Sequence, residues 1–107
     1  MKLTVDVENT VTHRGGKMHL DPFESTNKLV MVGCLTDTGK EYLFRDDFTG
    51  VQELIDEATI LIGHNIVHDL MWLWECGFKY DGAVCFSFSN SILTSSNLET
   101  RYIKRVF

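Results

Sequence analysis

The fold of this 107-residue chain is decided by the stretch "LIGHNIVHDLMWLWECGF", residues 61–78. A short apolar run ends at Gly63, the polar pair His64-Asn65 follows, and a strongly apolar segment then encloses one carboxylate, Asp69. The pattern predicts a buried strand that leads directly into a helix. The carboxylate needs a physical reason, because burying a charge without a partner is costly.

A helix over residues 65–76 would place Asp69 at the margin of the buried face, and Gly77 is a suitable residue to end such a helix. Two simpler interpretations of Asp69 stay open: the side chain points to water, or it is an acid of the first turn that the helix dipole stabilises. Asn65 could equally be the N-cap. One helical stripe, at spacings of four, three and four, consists of Asn65, Asp69, Trp72 and Cys76.

The rest of the chain predicts an α/β layer fold in which an antiparallel hairpin feeds a parallel strand pair. Residues 9–25 are rich in Gly, Thr, His and Asp, hold the only proline, and predict a long loop. Residues 89–107 are Ser/Asn-rich and then basic, and favour one or two short helices. The predicted strands are 2–8, 27–36, 41–46, 59–63 and 83–88, and the predicted helices are 48–58 and 65–76.

Composition and charge indicate a single soluble domain of cytoplasmic type, without a membrane span or signal peptide. The three cysteines, Cys34, Cys76 and Cys85, show no CxxC spacing and predict reduced thiols. A net charge of −5 argues against nonspecific coating of nucleic acid. The acids are nevertheless concentrated toward one end, because residues 1–84 carry 14 of the 15 acids and residues 85–107 carry three basic residues.

Asp6 and Glu8 form a candidate metal site, because residues i and i+2 of a strand project from the same face. Two adjacent carboxylates repel each other unless a cation lies between them, and Mg²⁺ and Mn²⁺ prefer carboxylate oxygen. The simpler interpretation is two solvated acids where a strand meets a loop. His64 and His68 are four apart, which can suit zinc, but a third ligand is missing, and histidines satisfied by the backbone are the favoured interpretation.

Taken together, these motifs resemble the DEDD-type 3′–5′ exonucleases, and especially the proofreading domain of phage family A DNA polymerases. The resemblance covers residues 1 to about 84. It is carried by "DVENT" at residues 6–10, which is similar to the family's first motif, and by "GHNIVHDLMWL" at residues 63–73, which is similar to its second. The implied fold is an RNase H-like mixed sheet with flanking helices.

The resemblance implies a two-metal phosphodiesterase that acts on the 3′ end of single-stranded DNA. Asp6, Glu8 and Asp69 would be the catalytic residues and the ligands of Mg²⁺ or Mn²⁺, with Asp6 bridging the two metals. Asn65, His64 and Thr10 would contact the substrate. Asp69 would then lie in an apolar helix because that helix holds it rigidly against the two acids of the first strand.

The chain also departs from the family pattern. His68 replaces the usual aromatic residue before the second-motif aspartate, and the third motif, a Tyr or His with an Asp on a later helix, has no counterpart. We therefore expect a domain of residues 1–84 that is incomplete at its C-terminus, followed by a divergent tail of residues 85–107. Weak or no activity is expected, and the alternative is a non-catalytic module that binds nucleic acid or protein through the basic tail.

The tail also predicts a homo-oligomer with residues 85–107 in the interface, because its apolar side chains need cover. These side chains are Phe86, Phe88, Ile92, Leu93, Tyr102, Ile103 and Phe107.

Overall fold

The computed structural model describes residues 1–87 and 92–94 and shows a mixed sheet with two helices. The strands are β1 (Lys2–Asn9), β2 (Thr12–Arg14), β3 (Lys17–His19), β4 (Leu29–Thr36), β5 (Glu41–Arg45), β6 (Ile60–Gly63), β7 (Ala83–Phe86) and β8 (Ile92–Thr94). The helices are α1 (Val51–Glu57) and α2 (Ile66–Glu75). The predicted mixed sheet with flanking helices is confirmed, and its strand order is compatible with an RNase H-like fold.

The main sheet has the strand order β5-β4-β1-β6-β7-β8, and β1 lies at its centre. β1 runs antiparallel to β4, with Val5 opposite Cys34, and parallel to β6, with Leu3 opposite Leu61. β4 pairs antiparallel with β5 and β1 pairs parallel with β6, so the predicted hairpin and the predicted parallel strand pair are both confirmed. β6 pairs with β1 only as far as Thr4, so the C-terminal half of β1 has a free edge on that side.

The hydrophobic core lies on one face of the sheet. Alternate residues of β1 (Leu3, Val5 and Val7) are buried there, while Asp6 and Glu8 point to the opposite face and are exposed. This alternation follows from the period of two along a strand. The helices fill the core with Val51, Leu54 and Ile55 from α1 and with Ile66, Leu70 and Leu73 from α2.

Two sequence predictions are wrong. The predicted loop over residues 9–25 contains the hairpin β2–β3, which turns at Gly15 and Gly16 with φ of +61° and +78°. Positive φ at both central residues is the geometry of a tight hairpin turn, and Gly-Gly adopts it without steric cost. In the tail, Ile92–Thr94 forms a strand against β7 where a helix was favoured.

The prediction that the domain is incomplete at its C-terminus concerns residues outside the described ones, so it stays a prediction. Strand β7 crosses the predicted boundary between residues 84 and 85. Among the described residues, no helix is long and apolar enough to cross a membrane.

Candidate active site

The candidate active site lies where β1 continues beyond its pairing with β6 and helix α2 begins. In this gap the carboxylate of Asp69 replaces a strand as the hydrogen-bond partner of β1: Oδ1 of Asp69 accepts the backbone N–H of Val7 at 3.3 Å. Helix α2 packs on β1 and β6, so it holds this carboxylate at the sheet edge. The local topology thus brings the first and second sequence motifs together.

Asp69 is buried, with 5% of its surface exposed, although it lies in the first turn of α2. The interpretation in which it points to water is therefore wrong, and its first-turn position is confirmed. The pKa of this carboxyl is raised from 3.8 to about 7, mainly by burial; the N–H of Val7 opposes the rise and the nearby charge of Asp6 adds to it. An ionised Asp69 is thus poorly stabilised by its surroundings, which is the environment that a bound cation would relieve.

Gly63 provides the space that Asp69 occupies. A Cβ at Gly63 would come within 2.7 Å of Oδ2 of Asp69 and within 3.3 Å of the Cα of Ile66. Real Cβ atoms essentially never come within 3.0 Å of another heavy atom, so any side chain larger than that of glycine would force the carboxylate of Asp69 to shift. The glycine of the "GHN" motif therefore has a direct structural role in the site.

Asp6 and Glu8 share the exposed face of β1, as the strand period predicts. The pairing register of β1 with β4 shifts between Glu8 and Asn9, which is a β-bulge or similar irregularity. Bulges re-aim the side chains beside them and occur often next to active sites. Within residues 1–87 and 92–94, no group of three or more His, Cys, Asp or Glu is arranged to hold a metal ion.

The predicted substrate residues flank the two motif elements: Thr10 follows β1, and His64 and Asn65 lie between β6 and α2. Asn65 is at the N-cap position of α2 but makes no side-chain capping bond, so the expected capping hydrogen bond is absent there. Asn65 and His64 are both exposed. The hydroxyl oxygen of Thr10 accepts the backbone N–H of Lys28 at 2.7 Å, so this hydroxyl fixes the loop at the end of β1. Their role in substrate binding stays a prediction.

Sequence analysis gave His68 no role beyond satisfaction by the backbone, but its ring has a side-chain partner. Its Nε2 lies 3.0 Å from Oδ1 of Asn9, the residue after Glu8. Asn9 directly follows Glu8 and His68 directly precedes Asp69, so this hydrogen bond connects the chain segments of two candidate metal ligands. Burial lowers the pKa of His68, against the opposing charge of Asp21. The pairing required the three-dimensional structure, because 59 residues separate its partners.

No family model matches this chain, and no curated protein matches it. Among solved structures, it is similar to the family B DNA polymerase from the hyperthermophilic archaeon Pyrobaculum calidifontis, with a TM-score of 0.46 and 25% sequence identity over 69% of this chain. The similarity covers 10% of the length of that polymerase chain. That polymerase belongs to family B, whereas the sequence resemblance is to family A. The assignment of this chain to the DEDD-type exonucleases of family A polymerases stays a prediction.

Proposed function

We propose that this chain forms the front part of a DEDD-type 3′–5′ exonuclease domain, with a site for Mg²⁺ or Mn²⁺ at Asp6, Glu8 and Asp69. The observation that supports this most directly is the buried carboxylate of Asp69. It has a backbone hydrogen bond at 3.3 Å, and the charge of Asp6 acts on it. A fold gains nothing in stability from such an arrangement unless a cation or a proton compensates it.

By residue type the three carboxylates suit a hard divalent cation, although the described residues do not bring three such groups together as a preformed metal site. Carboxylate oxygens are the preferred ligands of Mg²⁺ and Mn²⁺. Asp6 and Glu8 offer theirs from the exposed face of β1, and Asp69 offers its own from the buried start of α2. The two exposed acids would let a cation reach the site from solvent. The buried acid would be held rigidly by the helix, which a metal site needs.

When bound, divalent metals supply an activated water and stabilise charge on a phosphodiester. In this chain, Asp6, Glu8 and Asp69 would be the metal ligands. The substrate, the 3′ end of a single DNA strand, would be contacted by Asn65, His64 and Thr10. In the family that the chain resembles, the third motif supplies the general base, and that motif has no counterpart in this sequence. Loss of one member of a cooperating catalytic set often costs several orders of magnitude in rate. We therefore expect weak Mn²⁺ binding and negligible exonuclease activity from these 107 residues.

The test is a calorimetric titration of Mn²⁺ into the chain and into the double variant Asp6→Ala, Glu8→Ala. The double variant should lose the binding. The matched control, Glu53→Ala with Glu57→Ala, removes two exposed acids from α1 and changes net charge equally, so it should bind as the parent does. Equal Mn²⁺ affinity in both variants would contradict the proposal.

Activity is measured separately, by release of nucleotides from the 3′ end of single-stranded DNA with Mg²⁺. Robust release that is lost in Asp69→Ala would contradict the expected inactivity. It would show that another group, such as His68, Asp81 or a neighbouring chain, completes the catalytic set.

The second candidate is a non-catalytic module that contacts nucleic acid or protein. The uneven charge favours it, because residues 85–107 hold three basic residues and one acid. Binding of single-stranded DNA that persists in EDTA and weakens steeply with salt would support this module, since phosphate contacts by Lys and Arg need no metal. Binding that requires Mn²⁺ would favour the nuclease fold.

A further inference from the structure

Strand β5 forms one edge of the main sheet. It pairs with β4 on one side, and among the described strands no neighbour lies on its other side. Its sequence, EYLFR, contains neither proline nor glycine, and its register with β4 runs without a shift from Glu41 to Arg45. A regular, open edge strand of this kind is a template on which another strand can pair.

The turn that precedes β5 shows which of its backbone groups face outward. The carbonyl oxygen of Lys40 accepts the N–H of Thr36 at 2.9 Å, so the backbone of Lys40 is directed toward β4. In an antiparallel pair, successive residues direct their N–H and C=O alternately toward the partner strand and away from it. Three residues of β5 therefore direct three N–H and three C=O groups away from the sheet, and we call them the outward residues: Glu41, Leu43 and Arg45.

A contact on the other side of β4 agrees with this alternation. Val32 has the same direction as Thr36, because the two lie four residues apart in β4, so the backbone of Val32 is also directed toward β5. Val7 of β1 lies opposite Val32 and must then be directed away from β4. Its N–H indeed donates to Asp69 on that far side. The direction of the backbone groups is thus consistent across three strands.

The side chains of the outward residues carry opposite charges at the two ends of β5. All three side chains are exposed, and Leu43 is 64% exposed. Within the part of the chain that the structure describes, neither Glu41 nor Arg45 forms an ion pair. The two lie four residues apart on one strand, roughly 13 Å at about 3.3 Å per residue, which is too far for them to pair with each other. Each charge is therefore available to a partner strand.

We propose that β5 pairs antiparallel with β5 of a second copy of this chain, about a two-fold axis at Leu43. In this register Leu43 lies opposite Leu43 of the second copy, and Glu41 lies opposite Arg45 of the second copy. Every outward N–H and C=O group gains a partner, because each of these opposed pairs exchanges two hydrogen bonds. Both ion pairs form as well, and opposite charges directly across two strands stabilise the pairing.

Other registers of the same two strands fit less well. A shift of two residues places a charged residue opposite Leu43 and leaves outward backbone groups unpaired. A parallel alignment in the same register would place Glu41 beside Glu41 and Arg45 beside Arg45, which is destabilising. The order of charges along β5 therefore selects the antiparallel two-fold arrangement, and an interface of this kind is isologous and closed.

The opposite face of β5 is also self-complementary. Tyr42 and Phe44 lie there with their rings stacked, the ring centres 6.4 Å apart and the ring planes at 7°. In the proposed register Tyr42 lies opposite Phe44 of the second copy, so the two stacked pairs would form one row of four rings across the interface. Aromatic pairs directly across two strands are favourable.

This surface is separate from the interface predicted for residues 85–107 and does not depend on the proposed cation site. β5 and β8 are the two ends of the described sheet order. Pairing through β5 needs no metal, and it would continue one sheet across both copies. The candidate ligands Asp6 and Glu8 would then lie on the same face in both copies, because residues opposed across strands point to the same face.

The first test measures amide hydrogen exchange of the 107-residue chain at low and at high concentration. Because dimer formation hydrogen-bonds the outward amides, those of Glu41, Leu43 and Arg45 should exchange more slowly at high concentration. The amides of Tyr42 and Phe44 face β4 and should be protected at both concentrations. An interface elsewhere on the chain would not produce this alternation, and exchange of the outward amides that is independent of concentration would overturn the proposal.

The second test reverses the charges one at a time. Glu41→Arg and Arg45→Glu each turn both ion pairs of the dimer into like-charge pairs, so each should raise the dissociation constant of the dimer about tenfold or more. An equal mixture of the two variants should associate as tightly as the parent, because Arg then lies opposite Glu at both ends. The matched controls Glu57→Arg and Lys79→Glu make the same charge changes at exposed positions away from β5 and should associate as the parent does.

Sedimentation equilibrium measures the dissociation constants, and residues 85–107 are the same in all variants, so any association through them is common to all. Recovery in the mixture also shows that the single variants are folded. Single reversals that associate as tightly as the parent would overturn the pairing. Single reversals that weaken association without recovery in the mixture would overturn it too, and so would a parent chain that is monomeric at all concentrations.

Discussion

The backbone N–H of Val7, in the central strand, donates to Oδ1 of Asp69, in the first turn of α2, at 3.3 Å. This bond occupies the edge of β1 beyond the last pair that β1 makes with β6. It places a carboxylate next to Asp6 inside the protein rather than on its surface, and the predictions below follow largely from that placement.

The first prediction concerns the dependence of stability on pH. The folded pKa of Asp69, about 7, lies above the unfolded value of 3.8. This group therefore contributes stability that is fully present below about pH 4 and is lost as pH rises to about 7. The shift corresponds to roughly 4 kcal/mol of unfolding free energy as an upper bound.

The variant Asp69→Asn cannot titrate and keeps an oxygen for the N–H of Val7. In EDTA, the variant should have the same free energy of unfolding as the parent near pH 4. At pH 8 it should be more stable by roughly one to several kcal/mol, because only the parent then loses the contribution of Asp69. Urea unfolding of both chains across this range measures the difference. A difference that does not vary with pH would show that Asp69 is not the buried titrating group.

The second prediction concerns Gly63. Gly63→Ala places a Cβ against the carboxylate of Asp69 and the backbone of Ile66, and overpacking of this kind costs roughly 1–3 kcal/mol. It should also weaken Mn²⁺ binding, because the carboxylate must move. The control is Gly33→Ala in β4, where the new Cβ would be 3.8 Å from the carbonyl oxygen of Asp6. Equal thermal stability of the two variants would contradict the close approach.

The third prediction concerns the thiols, among which no disulfide forms. Cys34 is buried in the core, and burial raises its pKa to about 11, so few thiolates form near neutral pH. Cys76 is exposed at the end of α2. Partial burial of its thiol and the charge of Glu75 also raise its pKa. An alkylating reagent at pH 8 should therefore modify Cys76 well before Cys34. Peptide mass mapping over time tests this order, and Cys34 reacting first would contradict the described core.

The fourth prediction concerns assembly through residues 85–107, of which the structure describes only residues 85–87 and 92–94. We expect a homodimer or higher oligomer at micromolar concentration, because the apolar residues of this segment need cover. Ile103→Ser with Phe107→Ser should reduce self-association, and Ser95→Ala with Ser96→Ala should not. Sedimentation velocity measures the size distribution. A sharp monomer peak from the parent chain would contradict the expectation.

The sequence by itself determined the main elements and the carboxylates worth examining. Alternation along "KLTVDVE" identified β1 and its exposed acids, because side chains in a strand alternate with a period of two. The apolar pattern after Gly63 identified α2, because helical periodicity is a local property of the sequence. The Gly-Gly pair at residues 15 and 16 was a usable hairpin signal in the loop that sequence analysis left unstructured.

Only the tertiary structure decided how buried Asp69 is, and which groups meet it. Burial depends on how a helix packs against distant strands, and the bond to Val7 spans 62 residues. The same holds for His68 and Asn9, and for Trp72 and the carbonyl of Leu20, which lie 59 and 52 residues apart. Local pattern carries no information on such pairs, because sheet order and helix docking select them.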